Sequence, residues 1–333
     1  MRLLTQKTPA NAGVFRLRPF RTSGEASSHA RACAHRRALG HHSAQSLARA
    51  AMPLTIDPFE QHGRACVRLR HPRGATADIS LHGAHVLSWK PEPARERLYL
   101  SPNASHQPGS AIRGGIPVIF PQFAGRGPLV KHGFARLLEW RFAGLQDATV
   151  FGESAVFELD DDEHTRSLWP HRFGARLHVA LGADALQVGL EILNRGDSPF
   201  AFTAALHTYL RVAKLAAVEL EGLESTPYED SARKSAPMPA SDAPIRFEGE
   251  LDRIYAASPR ALRLRDGEST LRIEAEGFRD TVVWNPGATL AASMGDLGAG
   301  EHLRFVCVEA ATVVEPVTLA PGERWLGVQR LGE

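Results

Sequence analysis

The stretch RFGARLHVALGADALQVGLEILN, residues 172–194, contains two runs in which apolar side chains alternate with polar or small ones. The two runs lie on either side of Gly182-Ala183-Asp184, a combination that favours a tight turn. Because successive side chains of a strand point to opposite faces, this period of two predicts a β-hairpin with one face in the core. An antiparallel sheet is therefore the first prediction for the fold.

Similar short runs follow one another after residue 52. They are CVRLR (66–70), ADISLHGAHVLSW (77–89), ATVFGESAVFEL (148–159), ALRLRD (261–266), STLRIEAEG (269–277), DTVVWNP (280–286) and LRFVCVEA (303–310). Long segments with the 3.6-residue period of an amphipathic helix are not visible. Many short strands without intervening helices predict an all-β sandwich or barrel of antiparallel strands, and they disfavour a doubly wound parallel sheet.

The length and the charge distribution divide the chain into two parts. Residues 1–51 hold eight arginines, one lysine and one acidic residue, which leaves 30 basic and 36 acidic residues for 52–333. The first part has no hydrophobic periodicity and no secretory signal, so we predict a disordered basic N-terminal extension. It is an upstream stretch translated from an early start, with Met52 as the natural first residue, or a transit segment, or a basic tail. Residues 52–333 are predicted to form one principal β domain.

Composition also limits the classes of partner that the protein is expected to bind and its expected cellular location. The mildly acidic body argues against a nucleic-acid surface, which is usually a basic patch or stripe. No apolar run approaches the roughly 18 residues of a membrane span. The three cysteines, Cys33, Cys66 and Cys307, are widely separated and have no CxxC spacing. Neither a disulfide framework nor a zinc site is indicated, and a reducing cytoplasm is the predicted location.

The segment SAIRGGIPVIFPQFAGRGPLVKHGFARLLEW, residues 110–140, places basic side chains and glycines between apolar runs. Glycine admits positive φ and close backbone approach, while Arg113 and Arg136 carry planar guanidinium groups suited to phosphate or carboxylate. A small anionic ligand is one interpretation. The other is that Gly114 and Gly115 shape a bend between strands and that both arginines are solvated.

Common cofactor and metal signatures are absent from the chain. It contains no Walker A loop, no GxGxxG after a strand, no HExxH and no GxSxG. The acidic cluster from Asp160 to Glu163 has no regular ligand spacing, so a solvated loop is the simpler interpretation. We therefore predict neither a metal nor a cofactor, and acid/base chemistry by side chains becomes the natural alternative.

Three residues are candidates for such chemistry. His207 interrupts an apolar strand in AFTAALHTYLRV, where it is either a satisfied core histidine or a proton donor. His132 lies beside Lys131 and Arg136, whose charges would lower its pKa and keep it neutral. Glu309 follows the apolar run FVCV, where burial would raise its pKa towards that of a general base, although strand-end glutamates are usually solvated. A histidine and a glutamate on different strands could open a sugar hemiacetal by opposed proton transfers.

Six segments, taken in order, resemble the D-hexose-6-phosphate mutarotases, the glucose-6-phosphate 1-epimerases of the aldose 1-epimerase superfamily. They are AIRGGIPVIFPQF, HGFAR, LHTYLRV, FEGELDRIY, DTVVWNP and CVEAATVVEPVTLAPGERW. The resemblance runs from about residue 54 to residue 332. It implies a galactose-mutarotase-like β-supersandwich of antiparallel strands, with the active site in an open groove across one sheet.

The resemblance also implies roles for particular residues. His207 matches the general acid and Glu309 the general base, and Arg113, Arg136 and Asp252 match substrate-binding positions. His132 is expected to hydrogen-bond the sugar. The chain departs from the family pattern at Lys131, where glutamine is common, and a lysine there could reach a phosphate or crowd the sugar hydroxyls with charge.

These observations predict a monomeric enzyme without a cofactor that interconverts the α and β anomers of a hexose 6-phosphate, with glucose 6-phosphate as the first choice. Two alternatives stay open at this point. One is a carbohydrate-binding sandwich without turnover, and the other is an epimerase of unphosphorylated aldoses whose arginines pair with local carboxylates.

Overall fold

The computed structural model of the chain describes residues 53–147, 151–233, 238–259 and 261–333. The predicted N-terminal extension, residues 1–51, lies outside the described residues. In chain order the strands are β1 (Thr55–Gln61), β2 (Arg64–Arg70), β3 (Thr76–Ser80), β4 (His85–Lys90), β5 (Val118–Ile119), β6 (Arg141–Asp147), β7 (Glu153–Asp160), β8 (Phe173–Leu181), β9 (Ala185–Asn194), β10 (Phe200–Leu206), β11 (Tyr209–Arg211), β12 (Val218–Glu221), β13 (Tyr228–Asp230), β14 (Ile245–Arg246), β15 (Leu251–Tyr255), β16 (Ala261–Asp266), β17 (Ser269–Glu276), β18 (Asp280–Asn285), β19 (Phe305–Leu319) and β20 (Arg324–Gly332).

Helices are few and short. The α-helices of the described residues are α1 (Glu163–Leu168) and α2 (Gly287–Ala291), and one-turn 3-10 helices span Ala135–Leu137, Leu215–Ala217 and Glu301–Arg304. Within the described ranges, none of these helices has the length and apolar character needed to cross a bilayer. The all-β prediction is confirmed.

The strands form three sheets. The four-stranded sheet has the order β1-β2-β3-β4, and the nine-stranded sheet has the order β14-β12-β16-β17-β20-β9-β8-β7-β6. The seven-stranded sheet has the order β13-β15-β18-β19-β10-β5, and β11 continues β10 along the edge of β19. The hairpin predicted from residues 172–194 is β8 and β9, which pair antiparallel from Phe173 and Asn194 to Leu181 and Leu186 around the turn.

The main core contains residues of all three sheets. Leu190 of the nine-stranded sheet, Val308 of the seven-stranded sheet and Trp89 of the four-stranded sheet belong to one buried apolar cluster. Because side chains alternate along a strand, the residues on either side of Val308, namely Cys307 and Glu309, lie on the opposite face of the seven-stranded sheet. That second face carries the candidate site.

Three of the four residues of the acidic cluster at the end of β7 are exposed, as expected of a solvated segment, and Asp161 is partly buried. The cluster also begins a helix that the sequence analysis did not predict. Asp162 is the N-cap of α1, where its carboxylate accepts a hydrogen bond from the Thr165 backbone N–H at 2.7 Å and the Thr165 hydroxyl accepts one from the Asp162 N–H at 2.8 Å. This reciprocal arrangement is a capping box. The neighbouring Asp161 carboxylate is buried between Arg166 and the Phe173 N–H. The cluster therefore has a structural role that explains it without a ligand.

Candidate active site

The double glycine after Arg113 brings its backbone against two other segments. Gly114 has φ 111° and Gly115 has φ 61°. A Cβ on Gly114 would lie 2.3 Å from the Tyr99 carbonyl oxygen, and one on Gly115 would lie 2.2 Å from that of Val86. Both positions therefore require glycine, which agrees with either interpretation of this segment. The close approach fixes the backbone next to Arg113, whose side chain donates to the hydroxyl of Tyr209 on β11.

His207 and Glu309 lie directly opposite each other on neighbouring strands. The residue pairs that flank them on these strands are Leu206 with Ala310 and Tyr209 with Cys307. Both pairs belong to the same pairing register, which places His207 opposite Glu309. The His207 N–H donates away from β19, to the Pro117 carbonyl at 3.0 Å. His207 and Glu309 thus occupy a non-hydrogen-bonded position of the antiparallel ladder, where facing side chains come closest. The Nε2 atom of His207 is 3.4 Å from Oε1 of Glu309.

Aromatic side chains surround the imidazole of His207. Its ring stacks on that of Tyr209, with centroids 4.9 Å apart and an angle of 11° between the planes. The Trp284 and His132 rings approach it edge to face, at centroid distances of 5.9 Å and 5.5 Å respectively. These contacts restrict the ring to one plane, which is a requirement for directed proton transfer.

Burial shifts the two ionisable groups towards their neutral forms. Desolvation raises the pKa of the Glu309 carboxyl well above its usual range, and the Asp252 carboxyl raises it further. Desolvation lowers the pKa of His207 well below its usual range, and the charges of Arg113 and Arg136 act in the same direction. Both shifts favour the form of the pair in which the Glu309 carboxyl is protonated and the His207 imidazole is neutral.

Each member of the pair keeps one free polar atom. Nδ1 of His207 and Oε2 of Glu309 are buried and have no hydrogen-bond partner in the described part of the chain. Buried polar atoms without partners are rare in folded proteins because they cost free energy, so such a concentration marks a place where a ligand can supply the missing bonds.

The two arginines of the site differ in their surroundings. Arg113 donates to the Asp296 carboxylate from Nε at 3.1 Å and contacts it from the terminal nitrogen Nη2 at 3.0 Å. Its other terminal nitrogen donates to the Tyr209 hydroxyl at 2.9 Å. The charge of Arg113 is thus compensated within the protein, whereas Arg136 has no carboxylate partner among the described residues.

Arg136 donates from one terminal nitrogen to the Lys131 carbonyl at 2.8 Å, and its Nε is buried without a partner. Burial lowers the pKa of Arg136 to about 10, and the nearby Arg113 charge also lowers it. The guanidinium stays protonated at neutral pH. An anion beside it would relieve an unfavourable charge, which is the property expected of a phosphate-binding side chain.

His132 lies in the turn before Arg136 and has the unusual φ of 68° for a residue other than glycine. Its Nδ1 accepts a hydrogen bond from the Ala124 N–H at 3.3 Å. Because Nδ1 is an acceptor, the ring proton resides on Nε2, which can donate to a ligand. Burial lowers the pKa of His132, and the charges of His207, Arg136 and Lys131 lower it further, so this ring is neutral, as the sequence predicts.

Lys131 and Asp252 complete the set of predicted site residues. Asp252 lies on β15 opposite Trp284, so it shares the face that carries Glu309. Burial raises the pKa of Asp252 to about 6, whereas the charge of Lys131 lowers it. Lys131 itself is exposed. The charges of Arg113, Arg136 and Lys131 act on His207, the charge of Asp252 acts on Glu309, and the His132 ring contacts that of His207. All seven predicted residues therefore lie close to the histidine and glutamate pair.

Three residues that contribute to this geometry were missed from the sequence. They are Tyr209, Trp284 and Asp296. Tyr209 follows His207 by two residues, and the period of two could have placed both rings on one face. Trp284 stands in the DTVVWNP motif, whose role was not assigned. Asp296 carries no local signal, since its partner Arg113 is 183 residues away in sequence.

Comparison with known proteins supplies independent evidence about the family. Residues 65–332 match the family described as aldose 1-epimerase. A protein of Cenchrus ciliaris named "Putative glucose-6-phosphate 1-epimerase" is 38% identical over 270 residues, which cover 78% of this chain and 82% of that protein. A protein of Escherichia coli K12 with the same name is 38% identical over 250 residues, covering 74% of this chain and 82% of that protein.

Solved structures agree with the fold. The crystal structure described as "a putative mutarotase (YeaD) from Salmonella typhimurium" superposes with a TM-score of 0.76 and 29% sequence identity. The alignment covers 85% of this chain and 96% of the other. The matched region contains every residue of the site described above, from Arg113 to Glu309. On this evidence, the chain belongs to the aldose 1-epimerase family.

Proposed function

We propose that this protein interconverts the α and β anomers of a hexose 6-phosphate, with glucose 6-phosphate as the first substrate to test, and that His207 and Glu309 carry the proton transfers. The observation that carries the proposal is the buried contact of 3.4 Å between His207 Nε2 and Glu309 Oε1 beside the uncompensated guanidinium of Arg136. A protein that only binds sugar has no need of an opposed acid and base.

Ring opening in this proposal starts from the ion-pair form of the two residues. With the proton on His207, the Glu309 carboxylate accepts the proton of the anomeric hydroxyl while the imidazolium donates to the ring oxygen. The C1–O5 bond breaks and the aldehyde forms. The pair then consists of a neutral imidazole and a protonated carboxyl, which is the form that burial favours. Rotation about C1–C2 and reversal of both transfers close the ring with the other configuration.

The remaining predicted residues serve as binding groups in this proposal. Arg136 and the exposed Lys131 provide positive charge for the phosphate, and Nε2–H of His132 donates to a sugar oxygen. Asp252 lies on the same face and accepts from a sugar hydroxyl when it is ionised. Arg113 is held by Asp296 and Tyr209, so we assign it to orientation of the sugar end of the substrate.

The alternative of an enzyme for unphosphorylated aldoses has one observation in its favour. The Arg113 guanidinium is already paired with the Asp296 carboxylate, as that alternative required. Arg136 does not fit it, because a desolvated guanidinium without a carboxylate is unfavourable in a site that binds only neutral sugars. The monomeric state and the cytoplasmic location remain predictions from the sequence.

The test is anomer exchange, measured by NMR with glucose 6-phosphate and with glucose under the same conditions. The wild-type protein should accelerate exchange, with the higher kcat/KM on the phosphorylated sugar. Glu309→Gln should abolish the acceleration, because the amide cannot accept the anomeric proton. Glu315→Gln is the matched control, since Glu315 lies on the same strand and its side chain is 78% exposed.

Each outcome decides one part of the proposal. If neither sugar exchanges faster than in buffer, the protein is not a mutarotase and sugar binding alone remains. Equal kcat/KM on the two sugars would reject the phosphate assignment. Substantial activity in Glu309→Gln would remove Glu309 from the mechanism.

A further inference from the structure

The hydrogen-bond ladder beside the histidine and glutamate pair is broken at one point. Thr208 stands opposite Val308, and in a regular antiparallel ladder such a pair exchanges two backbone hydrogen bonds. The Val308 N–H donates to the Thr208 carbonyl at 3.1 Å, as expected. The Thr208 N–H instead turns back to the Leu206 carbonyl at 3.0 Å. His207 therefore sits at the tip of a tight turn within what would otherwise be one continuous strand.

A side chain from the facing sheet occupies the position of the missing backbone donor. Gln329, in the middle of β20, donates from Nε2 to the Val308 carbonyl at 3.1 Å. Its Oε1 accepts a hydrogen bond from the Thr208 hydroxyl at 2.5 Å. The amide thus bonds to both strands at the break, on the core side, directly behind His207 and Glu309.

The burial of Thr208 and Gln329 indicates that their hydrogen bond has a specific structural role. Gln329 is 2% exposed and Thr208 is fully buried. The apolar residues Leu262, Ile273 and Ala310 line a small cavity together with Gln329. A buried amide among such side chains costs free energy unless its hydrogen bonds are made, and an apolar residue of similar size would fill the same space. The broken ladder explains why an amide is present here, since the Gln329 side chain donates the hydrogen bond that the Val308 carbonyl would otherwise lack.

From this arrangement we propose that Thr208 and Gln329 are positioning residues for the proton-transfer pair. They hold the turn that carries His207 at the distance and angle at which its ring meets Glu309. Without them, the Thr208 N–H is free to bond to the Val308 carbonyl, which would restore the regular ladder and reorient the His207 backbone. The inference rests on the proposed function for its kinetic consequences, while the geometric consequence is independent of any substrate.

The kinetic test uses Thr208→Val and Gln329→Met, which remove the polar atoms and keep the side-chain size. Each should lower kcat on the order of 100-fold, the loss expected from a displacement of about 1 Å at a reacting group. KM should change by less than about threefold, because neither residue faces the substrate. Thr208→Ser keeps the hydroxyl and should restore activity to near that of the wild type.

The double variant Thr208→Val with Gln329→Met separates positioning from stability. Single variants leave a buried polar partner unsatisfied, whereas the double variant removes both partners together and should recover most of the thermal stability. Its kcat should remain as low as that of the single variants, since the regular ladder is still free to form. Thr312→Val is the control, because Thr312 is buried on β19, the strand of Glu309, and its hydroxyl donates one long hydrogen bond of 3.4 Å to the Glu315 carbonyl.

Imidazole 15N resonances of His207 give a readout that needs no turnover. They should shift in Thr208→Val, Gln329→Met and the double variant, and stay unchanged in Thr312→Val. If wild-type protein accelerates no anomer exchange, the proposed function fails, and these resonances still decide the positioning role. A folded double variant with wild-type kcat and unchanged His207 resonances would overturn the inference.

Discussion

Replacement of Arg136 by alanine should change the enzyme's preference between phosphorylated and unphosphorylated sugar. The guanidinium of Arg136 has a buried Nε without a partner, and among the described residues it donates one hydrogen bond, to the Lys131 carbonyl at 2.8 Å. Burial lowers its pKa to about 10, as expected of a charge that is poorly solvated. A phosphate oxygen would supply the partner that Nε lacks.

The size of the effect follows from these contacts. Hydrogen bonds to a charged group contribute roughly 1.5–3 kcal/mol each, and a guanidinium can offer two to one phosphate. With about 3 kcal/mol lost in total, kcat/KM for glucose 6-phosphate should fall on the order of 100-fold. Arg136 also lowers the pKa of Glu309 and His207, so its loss affects both sugars by a common factor. The ratio of the two kcat/KM values isolates the contribution of the phosphate.

The assay is NMR exchange on glucose 6-phosphate and glucose at the pH optimum of each variant. Arg126→Ala is the control, because Arg126 lies in the loop before Lys131 and pairs with Glu229 at the surface. Surface ion pairs contribute about 0–1 kcal/mol, so this variant should leave the ratio within about threefold of the wild type. A loss of equal size on both sugars in Arg136→Ala would refute the assignment of Arg136 to the phosphate.

Two further predictions concern stability. The folded pKa of Glu309 is raised above the unfolded value of 4.5, so ionisation destabilises the wild-type fold as pH rises from that value through the folded pKa. The Tm of Glu309→Gln minus that of the wild type should therefore be larger at pH 8 than at pH 5, and a difference independent of pH would contradict the burial argument. Gly114→Ala should lower the free energy of unfolding by more than about 3 kcal/mol in urea titrations, because its Cβ would lie 2.3 Å from the Tyr99 oxygen. Gly109→Ala, at φ 73° with no atom within 4 Å, should cost only about 1 kcal/mol, and equal effects would rule out the steric explanation.

Local patterns in the sequence were sufficient to predict antiparallel strands, but not their division into three sheets. The alternation on both sides of Gly182-Ala183-Asp184 identified the hairpin of β8 and β9, because a period of two is a property of the strand itself. The same reasoning missed the capping box at Asp162, although the spacing of Asp162 and Thr165 was visible. We interpreted the four acidic residues as a solvated loop. The helix that follows them, α1, is too short to show the 3.6-residue period of an amphipathic helix.

The site was only partly predictable. His207 and Glu309 stood out as polar residues within apolar runs, yet the residues alone left a core histidine and a solvated glutamate as acceptable interpretations. The resemblance to a family supplied the pairing. The structure then placed the two side chains opposite each other, and it distinguished Arg113, which is bonded to Asp296, from Arg136, which is not.

The sequence by itself determined the strands, the positions that require glycine and the types of side chain available for proton transfer and phosphate binding. These depend on neighbours along the chain. Only the tertiary structure decided which polar atoms are buried without partners and which are satisfied by distant residues. Gln329 bonds Thr208 across 121 residues and Asp296 bonds Arg113 across 183 residues. The first contact arises where two sheets pack face to face and the second where two segments outside the strands meet, and no local pattern of side chains specifies which residues will meet.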